Sequence, residues 1–385
     1  MNFCFVCPRY KSEPYGGIDS STANHAEALA SMGHQVHVVA TRVHHVHDFV
    51  DGKVWVHNRP IKFVRIASKL FPAWIESVQL GIVLVILHRK YHFSRIEIPN
   101  WEGLGAIPIL LRLPVALRHH TSTEDSLEAQ GLPMTRPQRA LAKLEHLACR
   151  WAKINIVHSK YYAKKLANLG NVRGVCVVPH FLPPVRQPKF AEPSSKTILC
   201  VGALMARKGT DVMFDAAEIF LRELPEWKLI LVGLDRDGFY ERAFRLRADP
   251  DVASRVIFEG FLGEDELADR YLQCGIYLTT SLFESFGLPC LEAMMRGKPL
   301  VATNAGALPE LVQHGINGFL FSPKDHEAAA EFVVKLGQDK ELRRVMGMRS
   351  LEIAKQHPDM NEVCLRYERL TSTLGSKGMV TDHRV

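Results

Sequence analysis

The chain has 385 residues, 47% of them apolar and 23% charged, which excludes a disordered chain and suffices for about two domains. Its formal net charge of +7 is unevenly placed: residues 1–185 hold 22 basic and 12 acidic side chains, whereas residues 186–385 hold 26 and 29. The halves are therefore expected to meet different partners, the basic one facing a phospholipid surface, a phosphorylated substrate or nucleic acid.

The opening MNFCFVCPRY has no basic n-region and too short an apolar run for a signal peptide. The longest continuous apolar stretch, GIVLVIL at 81–87, is far below the ~20 residues that span a bilayer. Eight cysteines without regular spacing, mostly in apolar runs, read as reduced cytosolic thiols. Cys4 and Cys7 have a redox spacing, but they fall in a β-type run, so buried strand thiols are expected.

In chain order, a strand at 2–6, a Pro/Gly loop at 8–17, a helix at 21–32 closed by Gly33 and a strand at 35–41 start a parallel α/β sheet. His44, His45, His47 and Asp48 then read as a solvated loop, with metal binding as the alternative. Helices follow at 72–89, 136–151 and 161–169, and strands at 95–98, 115–119, 154–158 and 175–178. The Pro-rich stretch FLPPVRQPKFAEPSS marks a linker at 184–196. A second series places strands at 197–201, 227–232, 256–258, 276–279 and 299–303, with helices at 210–222, 238–248, 265–274 and 308–313. The expected fold is α/β: two doubly wound, Rossmann-like domains at 1–183 and 197–358, facing across a cleft. A helix at 359–374 is expected to pack back on the first domain, with a frayed tail at 375–385. Ligands in such sheets sit at the carboxyl ends of the strands.

Residues 281–297, SLFESFGLPCLEAMMRG, read as a loop turning into a helix. Gly287 permits a left-handed backbone and Pro289 suits a first helical turn. The amides of Phe286, Gly287 and Leu288 then form an anion site fit for a diphosphate. Glu284 is placed to accept from sugar hydroxyls and Glu292, about one turn inside, to hold vicinal hydroxyls such as those of a ribose. The alternative is two first-turn acids that complement the helix dipole. Upstream, CVGALMARKG ends a strand at Gly202 and sets Arg207 and Lys208 before the next helix, where they can neutralise a diphosphate. TNAGALPE puts Gly306 in another turn, free to approach a ligand closely. In the first half, Pro14-Tyr15-Gly16-Gly17 occupies the first βα loop, and His119 and His120 end the strand run PVALRHH.

Together these runs resemble the retaining GT-B glycosyltransferases of family 4, the group 1 glycosyltransferases, over about residues 1–370 and most closely over 197–320. The resemblance rests on the E-x7-E with its S-F-G-L-P interior, on the E-A-M-x-x-G-x-P run of 292–299, on GxxxxxKG from Gly202 to Gly209, on NHAEALASMGHQVHVV and on RHHTS. It implies that Glu284 contacts the transferred sugar, Glu292 the nucleotide ribose and Lys208 the diphosphate. The Gly287 and Leu288 amides would cap phosphates or sugar, Gly16 and Gly17 would approach the diphosphate, and His120, rather than His119, would lie beside the sugar. Many members have Arg where this chain has Ala203, and Arg207 is expected to supply that cation. VVPHF at 177–181 also departs from the V-P-N-G of relatives.

The resemblance further implies retaining transfer from a UDP- or GDP-sugar co-substrate to a glycan or lipid-linked acceptor, in cell-envelope or exopolysaccharide biosynthesis. No cofactor and no metal are expected; Asp235-Arg236-Asp237 falls in a surface loop after a strand. An epimerase or phosphorylase on the same fold, and a non-catalytic nucleotide-sugar binder, are the alternatives. The segment 59–90 mixes cations with Phe63, Phe71 and Trp74, which points to an anionic membrane surface as a partner; an ordinary core-facing helix with snorkelling cations is the alternative. Nucleic acid is not expected as a partner, since no interleaved basic and aromatic platform is present. The expected location is cytoplasmic, peripheral on the inner face of the membrane.

Overall fold

The structure is a computed structural model that describes residues 1–11, 16–61, 72–182 and 195–372. Pro14, Tyr15, Phe63, Phe71, most of the Pro-rich linker and the 375–385 tail lie outside the described residues. The chain divides into two compact units. One takes in Met1–Glu124, Met134–Phe181 and the chain from Pro358; the other takes in Asp125–Pro133 and Leu182–His357. Asp125–Pro133 thus groups with the second unit.

The first unit carries β1 (Asn2–Cys7), β2 (Gln35–Ala40), β3 (His47–Asp51), β4 (Val54–Asn58), β5 (Arg95–Pro99), β6 (Val115–Arg118), β7 (Asn155–Val157) and β8 (Val175–Val177). Their order is β3-β4-β2-β1-β5-β6-β7-β8, and only the β3–β4 pair is antiparallel. Strand β1 is an unbroken buried run because a parallel sheet is covered on both faces. Cys4 and Cys7 lie in that run, and burial pushes both thiols up, away from the reactive thiolate.

The solvated loop expected at 44–48 is corrected: β3 opens at His47, and β3 and β4 form a hairpin around Gly52 and Lys53. Asp48 there accepts from His57 Nδ1 at 3.1 Å and Arg59 at 3.0 Å. The helix Met360–Ser372 packs into this unit. Its Tyr367 ring meets Phe3 at 5.6 Å and Phe5 at 5.8 Å, and Val363 and Cys364 are fully buried beside it.

The second unit carries β9 (Thr197–Val201), β10 (Lys228–Val232), β11 (Val256–Gly260), β12 (Ile276–Thr279), β13 (Leu300–Thr303) and β14 (Gly318–Phe321). All pairs are parallel, in the order β11-β10-β9-β12-β13-β14. The helices Thr210–Glu223 and His326–Gln338 cover one face through Phe214, Phe220, Ala330 and Val333. Leu288–Met294 and the end of Lys340–Lys355 bury Leu291, Met294 and Ala354 in a separate core cluster. Strand order reverses between β9 and β12. That reversal opens a crevice beyond their carboxyl ends, the usual ligand position in a doubly wound sheet.

Candidate active site

The loops that leave β9 and β12 build the site at this reversal. Gly202 directly follows β9, and Ala206–Lys208 make a short 3-10 turn. Gly209 follows in the left-handed region at φ 65°, where a Cβ would lie 2.0 Å from the Thr280 carbonyl oxygen. Glycine therefore lets the first loop press against the second. The contact is fastened by the Leu282 N–H donating to the Arg207 carbonyl at 2.9 Å and by Thr280 Oγ1 donating to the Gly209 carbonyl at 2.9 Å. Arg207 also donates to the Phe283 carbonyl at 3.3 Å.

This fastening brings Lys208 Nζ onto Glu284 Oε1, which also accepts from Ser281 Oγ at 2.9 Å. Burial alone would raise the Glu284 carboxyl, but the Lys208 and then the Arg207 charge hold it below the usual carboxylate range. It is an ionised carboxylate at neutral pH. Gly202, Ala203, Lys208, Thr279 and Ser281 line a recess beside the pair. Gly306 has an internal reason to be glycine, at φ 59°. A Cβ there would lie 2.1 Å from the Glu284 carbonyl oxygen, and the next N–H, of Ala307, donates to that oxygen at 2.9 Å. Gly306 thus fixes the backbone of Glu284.

Gly287, at φ 101°, precedes the helix Leu288–Met294, and Pro289 lies in its first turn. Phe286 points inward, its ring 5.6 Å from that of His357. Glu292 is buried next to Tyr271 of the helix Glu264–Gln273; burial and then the Glu292 charge push the Tyr271 phenol well up. Arg296 donates to the Glu292 carbonyl at 2.9 Å and lies over the Tyr271 ring at 5.3 Å. Burial raises the Cys290 thiol, with the Glu284 charge adding to the rise. Tyr271, Ser281, Cys290 and Arg296 were not singled out from sequence. Ser281, Cys290 and Arg296 stand inside the informative run, whereas nothing in the sequence ties Tyr271 to it. Asp235 accepts the N–H groups of Tyr240 at 3.1 Å and Glu241 at 2.9 Å, capping the helix Phe239–Arg247.

In the first unit, Gly16 stands before the helix Gly17–Ser31. Its N–H donates to Asp19 Oδ2 at 3.3 Å, and the Arg9 N–H donates to Oδ1 at 2.8 Å. One of the two amides expected to serve a ligand is therefore already used. A Cβ on Gly16 or Gly17 meets nothing within 4 Å, so no internal crowding requires the pair. His119 is buried between Asn155, at 2.8 Å from Nε2, and Asn100, at 3.4 Å from Nδ1. His120 instead faces His158, with ring centroids 5.0 Å apart. Burial and then the Arg118 charge lower His120 to about 3, so its imidazole is neutral at pH 7.

Residues 184–352 match the family model for glycosyl transferases group 1, and residues 15–186 match the model for glycosyltransferase family 4. An uncharacterized glycosyltransferase of Methanocaldococcus jannaschii is 32% identical over 353 residues, which cover 86% of this chain and 87% of the relative. The chain belongs to the group 1, family 4 glycosyltransferases. The phosphatidyl-myo-inositol mannosyltransferase of Mycolicibacterium smegmatis is 26% identical over 394 residues, covering 98% of this chain and 95% of that one. Anabaena HepE, solved with UDP-glucose, superposes with a TM-score of 0.72 at 20% identity, covering 97% of this chain and 99% of that one. The fold of this glycosyltransferase is thus the α/β GT-B fold.

Proposed function

We propose that this glycosyltransferase moves a sugar from a nucleotide-diphosphate donor to a lipid-linked or glycan acceptor in envelope polysaccharide assembly, with retention at the anomeric carbon. The observation that carries the reading is the meeting of Arg207, Lys208 and Glu284 at the β9/β12 strand reversal. A diphosphate entering there offers Lys208 a stronger anion than one carboxylate. Lys208 then passes to phosphate, and Glu284 is released to accept from sugar hydroxyls. Arg207 and Lys208 stabilise the negative charge that grows on the departing diphosphate. Glu292 receives the ribose hydroxyls, and the backbone of Phe286, Gly287 and Leu288 borders the phosphates. Gly202 and Gly17 leave room for them, and His120 bonds a sugar hydroxyl. No side chain is assigned as a covalent nucleophile; the leaving phosphate takes the acceptor proton. The reaction in this reading needs no metal and no cofactor beyond the donor. HepE with UDP-glucose supports the donor class.

The acceptor side draws support from the helix Pro72–Tyr91. Trp74, Val78, Ile82 and Ile86 repeat every four residues and are exposed, Ile82 by 56% and Ile86 by 61%. Spacing of four puts them on one face, and Arg89 and Lys90 follow at its end. An apolar stripe with terminal cations suits an anionic membrane surface. The mannosyltransferase that acts on phosphatidyl-myo-inositol fits a lipid acceptor. No helix among the described residues is long and apolar enough to cross a membrane.

A thermal-shift series with UDP-, GDP- and ADP-sugars tests the donor reading. One nucleotide class should raise Tm, with a stabilisation that grows as the logarithm of ligand over Kd and reaches about 2.7 kcal/mol at ~100 Kd. No shift with any of them would overturn it.

A further inference from the structure

Three adjacent parallel strands, β6, β7 and β8, each deliver a histidine just past their carboxyl ends: His120, His158 and His180. Their ring nitrogens lie within 4.8 Å of one another, and no other group of three His, Cys, Asp or Glu among the described residues meets that criterion. His158 and His180 are buried and stack with centroids 3.6 Å apart, while His120 is only partly buried and leaves an approach to the cluster. We propose that these three imidazoles form a binding site for a divalent transition ion of the zinc class.

The donor set fits the ion. Three neutral imidazoles with an open fourth position are a standard zinc arrangement, and borderline ions prefer nitrogen to the oxygen donors that calcium or magnesium require. Tetrahedral Zn–N bonds of about 2.0–2.1 Å bring ligand nitrogens to roughly 3.4 Å, so ring rotation of roughly 1.5 Å or less closes the site. Burial favours the unprotonated form of His120 and His158, the form that ligates metal. Arg118, two residues before His120, is paired with Glu97 at 2.5 and 2.7 Å, so its charge is already partnered. His25 adds a fourth imidazole at the edge: its Nδ1 donates to the Ser21 carbonyl at 2.8 Å, and its ring centroid is 6.0 Å from that of His180.

The inference does not rest on the donor reading, although the two meet at His120. It gives His120 a second partner, so bound metal and any other ligand of that ring exclude each other. The test titrates the full-length, metal-stripped protein with Co²⁺, followed by visible absorption, and then displaces it with Zn²⁺. The expected result is one saturable equivalent with tetrahedral cobalt bands that Zn²⁺ abolishes. His158→Gln and His180→Gln should each weaken binding by at least about tenfold, and His44→Gln should leave it unchanged. Thermal melts identify any variant that fails to fold, and His180→Asn then takes its place. Absent cobalt bands, or binding that survives both substitutions, would overturn the proposal.

Discussion

Glu284 is held by the residue it is expected to part from. Its ion pair with Lys208 is mostly shielded, with side-chain exposures of 14% and 21%. Removing only the lysine strands a carboxylate, which is costly, whereas removing both charges is far less so. Lys208→Met should therefore lower Tm more than the Lys208→Met/Glu284→Gln double variant does; additive losses would show that the two are not coupled. Turnover should fall by about 10²–10³ in Lys208→Met, the usual loss for one donor to developing charge. The legible part of the site is the part written in one stretch. Glu284, Gly287 and Glu292 fall within nine residues, and the lysine loop declares itself by its glycines. Asp19, which takes the Gly16 amide, and Tyr271, beside Glu292, come from helices with no such signature. His158 and His180 become neighbours only because β7 and β8 pair.

At the scale of elements, the helix Pro72–Tyr91 has two apolar faces for different reasons. Leu80, Leu84 and Leu87 are buried in the core of the first unit, so Val78, Ile82 and Ile86 are left outward. Vesicles of phosphatidylcholine with phosphatidylglycerol should bind the protein at low salt and release it as salt rises. Ile82→Asp/Ile86→Asp should weaken that binding by at least about tenfold, since each buried isoleucine is worth about 1.5–3 kcal/mol. Binding unchanged by the double variant would remove the stripe from the acceptor reading. Long helices and buried parallel strands were legible in outline, the helix Arg136–Trp151 to the residue. The β3–β4 hairpin was not, because HDFVD carries more polar than apolar residues and its pairing comes from VWVHN across the turn. Strand β14 was also missed; GFLF is too short to show a period.

At the scale of the whole molecule, the buried imidazoles set an acid limit. Burial lowers His25 and His120 to about 3 and His37 to about 4, against about 6.5 in an unfolded chain. Below pH ~6.5 the unfolded state binds protons that the native state refuses, so stability falls with pH toward 4 and is unaffected by these groups above 6.5. Each group contributes up to about 1.4 kcal/mol per pH unit across that window. All three lie in the first unit. Calorimetry should show one transition move down markedly between pH 7 and pH 5, and His25→Phe should reduce that shift. A transition that holds its temperature across this range would contradict the neutral imidazoles.

The helix Met360–Ser372 has a consequence for synthesis. Tyr367, Val363 and Cys364 complete the core around Phe3 and Phe5, so the first unit to leave the ribosome is the last to close. Between Phe181 and Met360 the ribosome adds roughly 180 residues, which at about 5–20 residues per second takes roughly 10–40 s. For that interval the aromatic face of β1 waits for its cover while the second unit folds, a window in which a chaperone has something to hold.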